Sequence, residues 1–559
     1  MSDRVRMWRP MPRLVTVGAV LAVLAVACGG TPRAGHERRA ATPRAPTPTE
    51  GGSIAYGIEA ETVGGWCLPA AQLAAGGTEV AQAVYETLTV PNAKGEYVPY
   101  LAKSIDHNAD FTQWTIVLRD GISFHDGEPL NASAVVENLD AYRNGPLWRV
   151  VFADVADVRA VDRLTVIITT KVPWIALPAF LWGTGRVGIA APAQLNDPET
   201  CARNLIGTGP FKLKSWVPND SLVVTKNTSY WQKDRSGNPL PYLDQITFVP
   251  QEDTAQRVNG LKGSDLDLIH LTDGLQIAGL RNDRDEGLVK LLESDRAAEV
   301  SHTMLNVGAP PFDRRSCRLA VAYATDASAL NELNGAVTPI ARQPYAPKTP
   351  GYQRNPRFPG YNADNAERYL DQCTRELGTD RLRFTLDSTP DPPVQAVAGA
   401  IRDQLAKAGI EVDLAPPTAQ SQYIGLAVES RFQAILWRNF PSTDPDTLYP
   451  WLHSTVIDPD TGQTARNPVN FSAINDPVID QNLERGRSET DPGRRTSLYQ
   501  DIGRQLAKEA YNVWGWYEDW TFAASPRLNG LQGPTLPNGQ SRGLPITSVQ
   551  PLLGIWIDK

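Results

Sequence analysis

The first 28 residues of the chain determine the compartment in which the remainder must fold. Four arginines between positions 4 and 13 make the leader basic, and an apolar run follows from Leu14 to Ala27. This run is shorter than the roughly 20 residues that span a bilayer comfortably, and it is typical of the core of a signal peptide. The sequence therefore predicts that residues 1–27 are a signal peptide and that the chain folds outside the cytoplasm.

The residue after the apolar run is a cysteine. The segment from Leu24 to Gly29 resembles a bacterial lipobox, in which Cys28 is acylated and becomes the new N-terminus, although Ala25 stands where the motif prefers leucine. The alternative is ordinary cleavage after Ala27, which also exports the chain. Residues 28–50 are rich in Pro, Thr, Ala and Arg without apolar periodicity, which predicts a disordered tether. With the lipobox, the sequence therefore predicts a lipidated cysteine at the start of this tether. As a flexible coil this tether spans about 25 Å.

Four further cysteines lie in the body of the chain, at Cys67, Cys201, Cys317 and Cys373. In an exported protein an even number permits two disulfides, and four cysteines allow three pairings. Their spacing does not match a zinc or redox motif, and histidine is scarce, with six in all. We therefore expect no metal site and no cofactor.

Length and charge narrow the class of protein. A chain of 559 residues suggests roughly three to four domains. The formal net charge of −8 argues against a nucleic-acid partner, since phosphates require a basic surface. Hydrophobic residues make up 42% of the chain, which is ordinary for a globular protein.

Hydrophobic periodicity predicts a mixed α/β fold. A short alternating strand begins at Ser53, and Val80, Val84 and Leu88 have helical spacing within residues 78–88. Later, residues 381–386 and 410–414 are strand-like and flank an amphipathic helix over residues 394–408. Gly409 follows that helix, where a glycine commonly ends one, so this segment predicts a β-α-β unit.

A series of different short motifs occurs between Tyr85 and Asp480. They include Tyr85-Glu86-x-Leu88, Gly95-x-x-x-Pro99-x-Leu101-Ala102, Trp114-Thr115-x-x-Leu118-Arg119-x-Gly121, Phe124-His125-Asp126-Gly127, Gly207-Thr208-Gly209-Pro210-Phe211, Asn227-x-x-Tyr230-Trp231, Tyr323-Ala324-x-Asp326, Asp444-Pro445-Asp446 and Asn470-Phe471-Ser472. On these motifs the chain resembles the family 5 extracellular solute-binding proteins. That family contains the oligopeptide-, dipeptide- and nickel-binding receptors of bacterial ABC importers.

The resemblance implies an α/β, two-lobed body of the class II periplasmic-binding-protein type, with an extra domain and a ligand cleft between the lobes. Domain I would combine residues 51–86, 202–299 and 523–559, domain II residues 87–201, and domain III residues 300–522. The implied function is capture of a peptide or peptide-like solute for delivery to an ABC permease and ATPase. The protein would be a monomer, held at the extracytoplasmic face of the membrane by its lipid, and not an enzyme.

The resemblance also implies candidate ligand contacts. Ala75, Gly76 and Gly77 correspond to a peptide-contacting segment of the first lobe, and Trp66 just upstream is either an aromatic wall of the cleft or a core residue. In the other lobe the candidates are Trp437, Asn439, Phe440 and Asp444. Peptide receptors place an aspartate three residues after the tryptophan that matches Trp437, where it holds the ligand's α-amino group, and here that position is Phe440. Asp444 or Asn439 could replace it; otherwise the ligand would be blocked or uncharged.

The implied lobes suggest which cysteines pair. Disulfides within lobes leave the lobes free to move, which predicts Cys67–Cys201 and Cys317–Cys373. Two other functions stay open at this point. A non-transport lipoprotein that serves as a scaffold or regulator of envelope enzymes could use the same fold. The pattern Gly539-x-Ser541-x-Gly543 matches a hydrolase nucleophile elbow, but prolines at positions 537 and 545 argue against the strand and helix that an elbow needs.

Overall fold

The computed structural model describes residues 47–558, apart from 295–298, 440–442, 458–462 and 544–548. The predicted signal peptide, the lipidation site Cys28, most of the tether and the candidate ligand contact Phe440 lie outside the described residues. Within those ranges, no helix combines the length and the apolarity needed to cross a membrane.

The described residues form helices and strands that are mixed along the whole body. The helices are α1 (Ala75–Val84), α2 (Ala132–Asn144), α3 (Trp148–Val151), α4 (Leu177–Phe180), α5 (Pro192–Leu195), α6 (Thr254–Gly263), α7 (Gly274–Asp285), α8 (Arg315–Ala324), α9 (Ala327–Leu333), α10 (Ala363–Leu377), α11 (Pro392–Lys407), α12 (Gln420–Val428), α13 (Tyr449–Leu452), α14 (Pro477–Ser488) and α15 (Pro492–Glu509). Short 3-10 turns occur at Gly183–Gly185, Pro445–Leu448 and Leu552–Gly554.

Three larger sheets and several two-stranded ribbons contain the strands. The strands are β1 (Ser53–Ile58), β2 (Thr62–Val63), β3 (Gln72–Leu73), β4 (Thr89–Pro91), β5 (Tyr97–Pro99), β6 (Ala102–His107), β7 (Gln113–Leu118), β8 (Val155–Ala160), β9 (Thr165–Thr170), β10 (Phe211–Val217), β11 (Ser221–Lys226), β12 (Gln245–Pro250), β13 (Leu268–Leu271), β14 (Lys290–Glu293), β15 (Glu299–Leu305), β16 (Arg383–Asp387), β17 (Glu411–Leu414), β18 (Ala434–Asn439), β19 (Thr455–Ile457), β20 (Thr464–Arg466), β21 (Asn512–Glu518), β22 (Thr521–Ala524), β23 (Leu528–Asn529) and β24 (Trp556–Ile557).

The first large sheet has seven strands in the order β10-β11-β12-β1-β13-β22-β14. Its central strand β1 pairs in parallel with both β12 and β13, and most of its residues are buried, as expected for a strand covered on both faces. The sheet joins chain segments that are far apart, because β22 comes from the C-terminal part of the chain. The second sheet, β6-β7-β9-β8, is antiparallel and comes from residues 102–170.

The third large sheet has the order β17-β16-β18-β15-β21. The predicted β-α-β unit forms its edge: β16 and β17 pair in parallel, and α11 connects them. Helix α11 has proline at its start, and the glycine that follows its C-terminal cap, Gly409, adopts a φ of +80°, which explains why the helix ends there. Three apolar residues of α11, Ala398, Ile401 and Leu405, are buried in the adjoining core.

Helix α1 differs from the predicted span over residues 78–88. It begins three residues earlier, and it ends at Val84 because Tyr85 is extended, with φ −113° and ψ 154°. The fully buried Tyr85 ring explains this ending, since its hydroxyl donates to the Gln194 side chain at 3.0 Å. Tertiary packing has therefore overridden the helical periodicity of the next turn.

The two disulfides join the cysteines that the sequence analysis paired. Cys67–Cys201 and Cys317–Cys373 have Cα separations of 5.0 and 4.8 Å. The second bridge connects α8 with α10, and both of its cysteines are fully buried. Each bridge closes a long loop, of 134 and 56 residues in sequence separation, so each restricts the unfolded chain strongly.

Candidate functional site

A cavity of about 370 Å³ lies where segments attached to the three large sheets meet. Its lining includes Glu59 beyond β1, Trp148 of α3 near the second sheet, and residues of β15, β18 and β21 from the third. The start of α11 and one side of α12 also contribute. The volume lies within the range of small-molecule pockets, and sites of this kind are common where domains meet.

Aromatic rings form much of the cavity wall. The aromatic lining residues are Trp148, Phe180, Tyr423, Trp437, Trp451, Phe471, Trp516 and Trp520. The Trp437 ring stacks on Tyr423 at 5.7 Å between centroids and meets Phe471 edge-on at 6.1 Å. Rings held in this way present flat, rigid apolar faces to a ligand. The candidate residue Trp437 is therefore part of the wall.

An ion pair between Arg438 and Glu59 crosses the cavity lining. Arg438 Nη2 lies 2.9 and 3.1 Å from the two Glu59 carboxylate oxygens, and Nη1 donates to Thr272 Oγ1 at 2.8 Å. Burial opposes the ionisation of Glu59, but positive charge around it, chiefly that of Arg438 with a further contribution from Arg257, holds the pKa of Glu59 below its usual value. The pair joins strand β18 of the third sheet to the end of β1 in the first.

Two more carboxylates face each other on neighbouring strands. Glu299 begins β15 and Glu518 ends β21, and they are direct cross-strand partners in the antiparallel register. Both line the cavity, and the Trp520 indole donates to Glu299 Oε2 at 2.7 Å. Directly opposed residues of an antiparallel pair have Cβ atoms about 4.5–5.5 Å apart, a distance at which like charges repel.

The pKa values of these two acids reflect their surroundings. Burial raises the pKa of Glu518 to about 7; Arg438 and a hydrogen bond with Ser301 favour the charged form, and the nearby Glu299 charge disfavours it. Glu518 is only 4% exposed. Burial also raises the pKa of Glu299, although Arg438 and the Trp520 hydrogen bond act in the opposite direction. At neutral pH Glu518 thus lies close to the balance between its charged and neutral forms.

Another arginine of the cavity lining, Arg186, has a side chain without a direct hydrogen bond or ion pair to the described residues. The Arg186 side chain lines the cavity and makes no hydrogen bond or ion pair with another residue of the described ranges. Burial lowers its pKa, while the Glu299 charge acts in the opposite direction. Its guanidinium is therefore placed to interact with a ligand oxygen.

Three predicted contacts lie at the cavity. Ala75, at the start of α1, lines it, and so do Trp437 and Asn439 on β18. Asn439 is 8% exposed and pairs across the sheet with Val300. The structure thus brings these three residues, which are far apart in sequence, to one cavity.

The two glycines after Ala75 have a different role from the predicted one. A Cβ at Gly76 would lie 2.4 Å from the carbonyl oxygen of Ala60, and a Cβ at Gly77 would lie 2.0 Å from that of Glu61. Both glycines are buried, and neither is among the described lining residues. Close approach of the chain's own backbone, and not of a ligand, explains why glycine occurs there.

Two further predictions need correction. Trp66 is fully buried and packs edge-on against Trp216 at 5.9 Å, so it is a core residue and not a wall of the cleft. Asp444 forms a bidentate ion pair with Arg495, at 2.7 and 3.1 Å, and accepts from the backbone N–H of Asp446 at 2.9 Å. Asp444 therefore stabilises its own loop and does not line the cavity among the described residues.

Sequence reasoning missed the charged residues of the cavity, Glu59, Arg438, Glu299 and Glu518. A usable signal existed in two strands: Arg438 interrupts the apolar run of β18, and Glu518 ends the aromatic run of β21. A charged residue within a buried strand is rare unless it is paired or functional.

The fold and the cavity together are typical of a protein that binds a small solute. A sequence profile described as bacterial extracellular solute-binding proteins, family 5, middle, matches residues 96–458. The chain belongs to this family. Its fold is accordingly the α/β, two-lobed periplasmic-binding-protein type that the sequence predicted.

Individual relatives are distant but extend over most of the chain. The chain is 25% identical over 465 residues to the nickel-binding periplasmic protein of Escherichia coli K12, covering 80% of this chain and 86% of the relative. It is 26% identical over 463 residues to the glutathione-binding protein GsiB of Pectobacterium atrosepticum, covering 80% and 84%. In fold it is similar to the periplasmic binding protein DppA of Helicobacter pylori in complex with the peptide STSA. That match has a TM-score of 0.78 and 20% identity, and it covers 91% of this chain and 99% of the other.

Proposed function

We propose that the chain is the extracytoplasmic substrate-binding lipoprotein of an ABC importer and that it captures a peptide or peptide-like solute. In this proposal the lipid on Cys28 holds the protein at the membrane, and residues 28–50 act as a tether. The protein acts as a monomer and delivers its ligand to a permease and ATPase. Membership of the solute-binding family and the relatives named for glutathione and peptide support this assignment.

The observation that carries the proposal is the cavity itself. Its lining comes from strands of the five-stranded sheet and from segments next to the other two large sheets, and the Arg438–Glu59 pair connects two of these parts. A ligand in such a place would contact segments next to all three sheets. Binding would therefore favour one relative arrangement of these parts, which a permease could distinguish from the empty protein.

The division into domains is part of the proposal. Domain I would contain residues 51–86, 202–299 and 523–559, domain II residues 87–201, and domain III residues 300–522. The seven-stranded sheet supports the first, since its strands come from residues 53–58, 211–293 and 521–524. The four-stranded sheet and the five-stranded sheet support the other two in the same way.

Ala75, Trp437 and Asn439 are the proposed ligand contacts that the sequence analysis and the structure share. Ala75 contributes a small surface at the start of α1, Trp437 a flat ring, and Asn439 a side-chain amide with donor and acceptor groups. A peptide main chain presents alternating donors and acceptors, which suits a wall of this composition.

The proposal is tested by native mass spectrometry of the detergent-solubilised full chain isolated from membranes. We expect a co-purified solute of peptide-like mass and a chain mass that includes a diacylglyceryl group on Cys28. A chain that stays empty, and whose melting temperature no peptide pool or envelope fragment raises, would refute the transport role and favour the scaffold. A mature chain without lipid would refute only the anchor.

A further inference from the structure

The cavity carries more negative than positive charge. Six carboxylates line it within the described residues: Glu59, Glu252, Asp273, Glu299, Asp391 and Glu518. Three arginines face them: Arg186, Arg257 and Arg438. With all groups ionised, the lining holds three negative charges in excess. An enclosed site with this imbalance favours a ligand that brings positive charge.

Arg438 acts on both Glu299 and Glu518 through its charge, and Arg186 acts on Glu299, but no arginine of the described residues forms a direct ion pair with either acid. The Arg438 guanidinium donates its hydrogen bonds to Glu59 and Thr272. Arg257 donates to the backbone carbonyls of Gln251, Glu252 and His270. Within the described part of the chain, neither Glu299 nor Glu518 forms an ion pair.

The register of the sheet places the two acids opposite each other. Glu299 and Glu518 are direct partners across β15 and β21, and both line the cavity. The protein thus holds two acids opposite each other in a partly dehydrated place, an arrangement that is unfavourable unless a cation or a shared proton lies between them. Trp520, which donates to Glu299, and Trp516 bring aromatic rings to the same lining, and such rings also attract cations.

A second observation at this place points to a ligand oxygen. Trp516 lies two residues before Glu518 on β21, lines the cavity and is 7% exposed. Its indole N–H has no hydrogen-bond partner among the described residues. A buried donor of this kind is unfavourable until it finds an acceptor. The Arg186 guanidinium, which also lacks a protein partner in the described ranges, adds donors to the same lining.

We propose that Glu299 and Glu518 together bind a primary ammonium group of the ligand, with an adjacent ligand oxygen accepting from Trp516 or Arg186. An ammonium next to a carbonyl or carboxylate oxygen is the head group of an amino acid or the free N-terminus of a peptide. This inference rests on the proposed function and deepens it. It moves the amino-group anchor from the sequence position of Phe440 to two strands of the third sheet.

The test compares a free and a blocked form of one probe. The probe is a tryptic digest of casein, used as such and after complete acetylation of its amines, with the detergent-solubilised full chain at pH 7. Tryptophan fluorescence follows the melting temperature against digest concentration. We expect the free digest to raise the melting temperature, and the acetylated digest to need at least a 30-fold higher concentration for the same shift, the factor expected when a buried charge pair loses one partner.

Variants locate the site. Glu299→Gln and Glu518→Gln should each weaken the response to the free digest by about 30-fold. The matched control is Glu367→Gln, the same change at an exposed position of α10, which should leave the response unaltered. If Glu299→Gln fails to fold, Glu518→Gln alone serves as the test. This variant should fold, because it removes a charge that burial already disfavours.

Each remaining outcome has one meaning. If both digests act equally, the ammonium inference is overturned while the receptor function stands. If the free digest acts but both glutamine variants respond like the parent, the location is wrong. If nickel chloride alone reproduces the shift and the same variants abolish it, the bound cation is a metal and the inference fails. If neither digest acts, the inference and the peptide-binding function fail together.

Discussion

Replacing Glu518 by glutamine should stabilise the ligand-free protein, and by more as the pH rises. The structure raises the pKa of this carboxyl from its usual 4.5 to about 7. Between these values the folded protein keeps a proton that the unfolded chain has released, so the wild-type stability falls with increasing pH. Glutamine is neutral at every pH and does not contribute to this loss.

The size of the effect follows from the gap between the two pKa values. At roughly 1.4 kcal/mol for each pKa unit, the complete loss is about 3 kcal/mol. Nearly all of it should be present at pH 8, and less than about 1 kcal/mol at pH 5, which is only just above the pKa of the unfolded chain. The glutamine variant should therefore exceed the wild type by about 3 kcal/mol at pH 8 and be nearly equal to it at pH 5.

Urea denaturation of ligand-free protein at pH 5 and pH 8, followed by tryptophan fluorescence, measures this difference. Glu367→Gln should show no gain at either pH, because that residue is exposed. A gain of the same size at both pH values would refute the reasoning, since it would show that the charge of Glu518 is not what the substitution removes. A loss of stability at pH 8 would refute it as well.

Three further substitutions test the packing around the site by the same denaturation assay. Serine at both Cys317 and Cys373 should lower the free energy of unfolding by about 2–5 kcal/mol, because the loop between α8 and α10 is no longer closed. Arg487→Met should cost about 3–5 kcal/mol, since it leaves the fully buried Asp446 without its ion-pair partner at 3.2 Å. Gly77→Ala should cost at least about 1–3 kcal/mol, because its Cβ would lie 2.0 Å from a backbone oxygen.

Each of these has a control or an outcome that contradicts it. Reduction of the wild type should reproduce the serine variant, and a stable reduced protein would contradict the role of the bridge. Arg485→Met, at an exposed position of the same helix, should be nearly neutral. Gly399→Ala, in an open part of α11, should stabilise by about 0.5–1 kcal/mol. If Gly77→Ala behaved like Gly399→Ala, the close backbone approach would be wrong.

The sequence predicted the fold correctly where several local signals, such as apolar periodicity and a helix-ending glycine, indicated the same structure. The unit of β16, α11 and β17 is an example, because its apolar periodicity and the glycine after the helix indicate the same structure. Helix α1 shows the limit of this approach. Its apolar spacing continues past Val84, but the packing of Tyr85 ends the helix, and that packing involves Gln194 more than 100 residues away.

The binding site was less predictable for the same physical reason. Ala75, Trp437 and Asn439 follow from motifs that are local in sequence. Glu299 and Glu518 lie opposite each other only because of the register between β15 and β21, which are separated by about 200 residues in sequence. No periodicity of either strand specifies that register, so the pair becomes visible only once the sheet is assembled.

The position of the two acids has a mechanical consequence. Strand β14 belongs to the seven-stranded sheet and β15 to the five-stranded one, and the chain returns by β21 and then β22. Glu299 and Glu518 therefore stand at the strand ends nearest the two crossings between these sheets. Two like charges there oppose each other, and the ammonium group proposed above would attract both. Under that proposal, occupancy of the site acts next to the crossings themselves, without relay through the remainder of the protein.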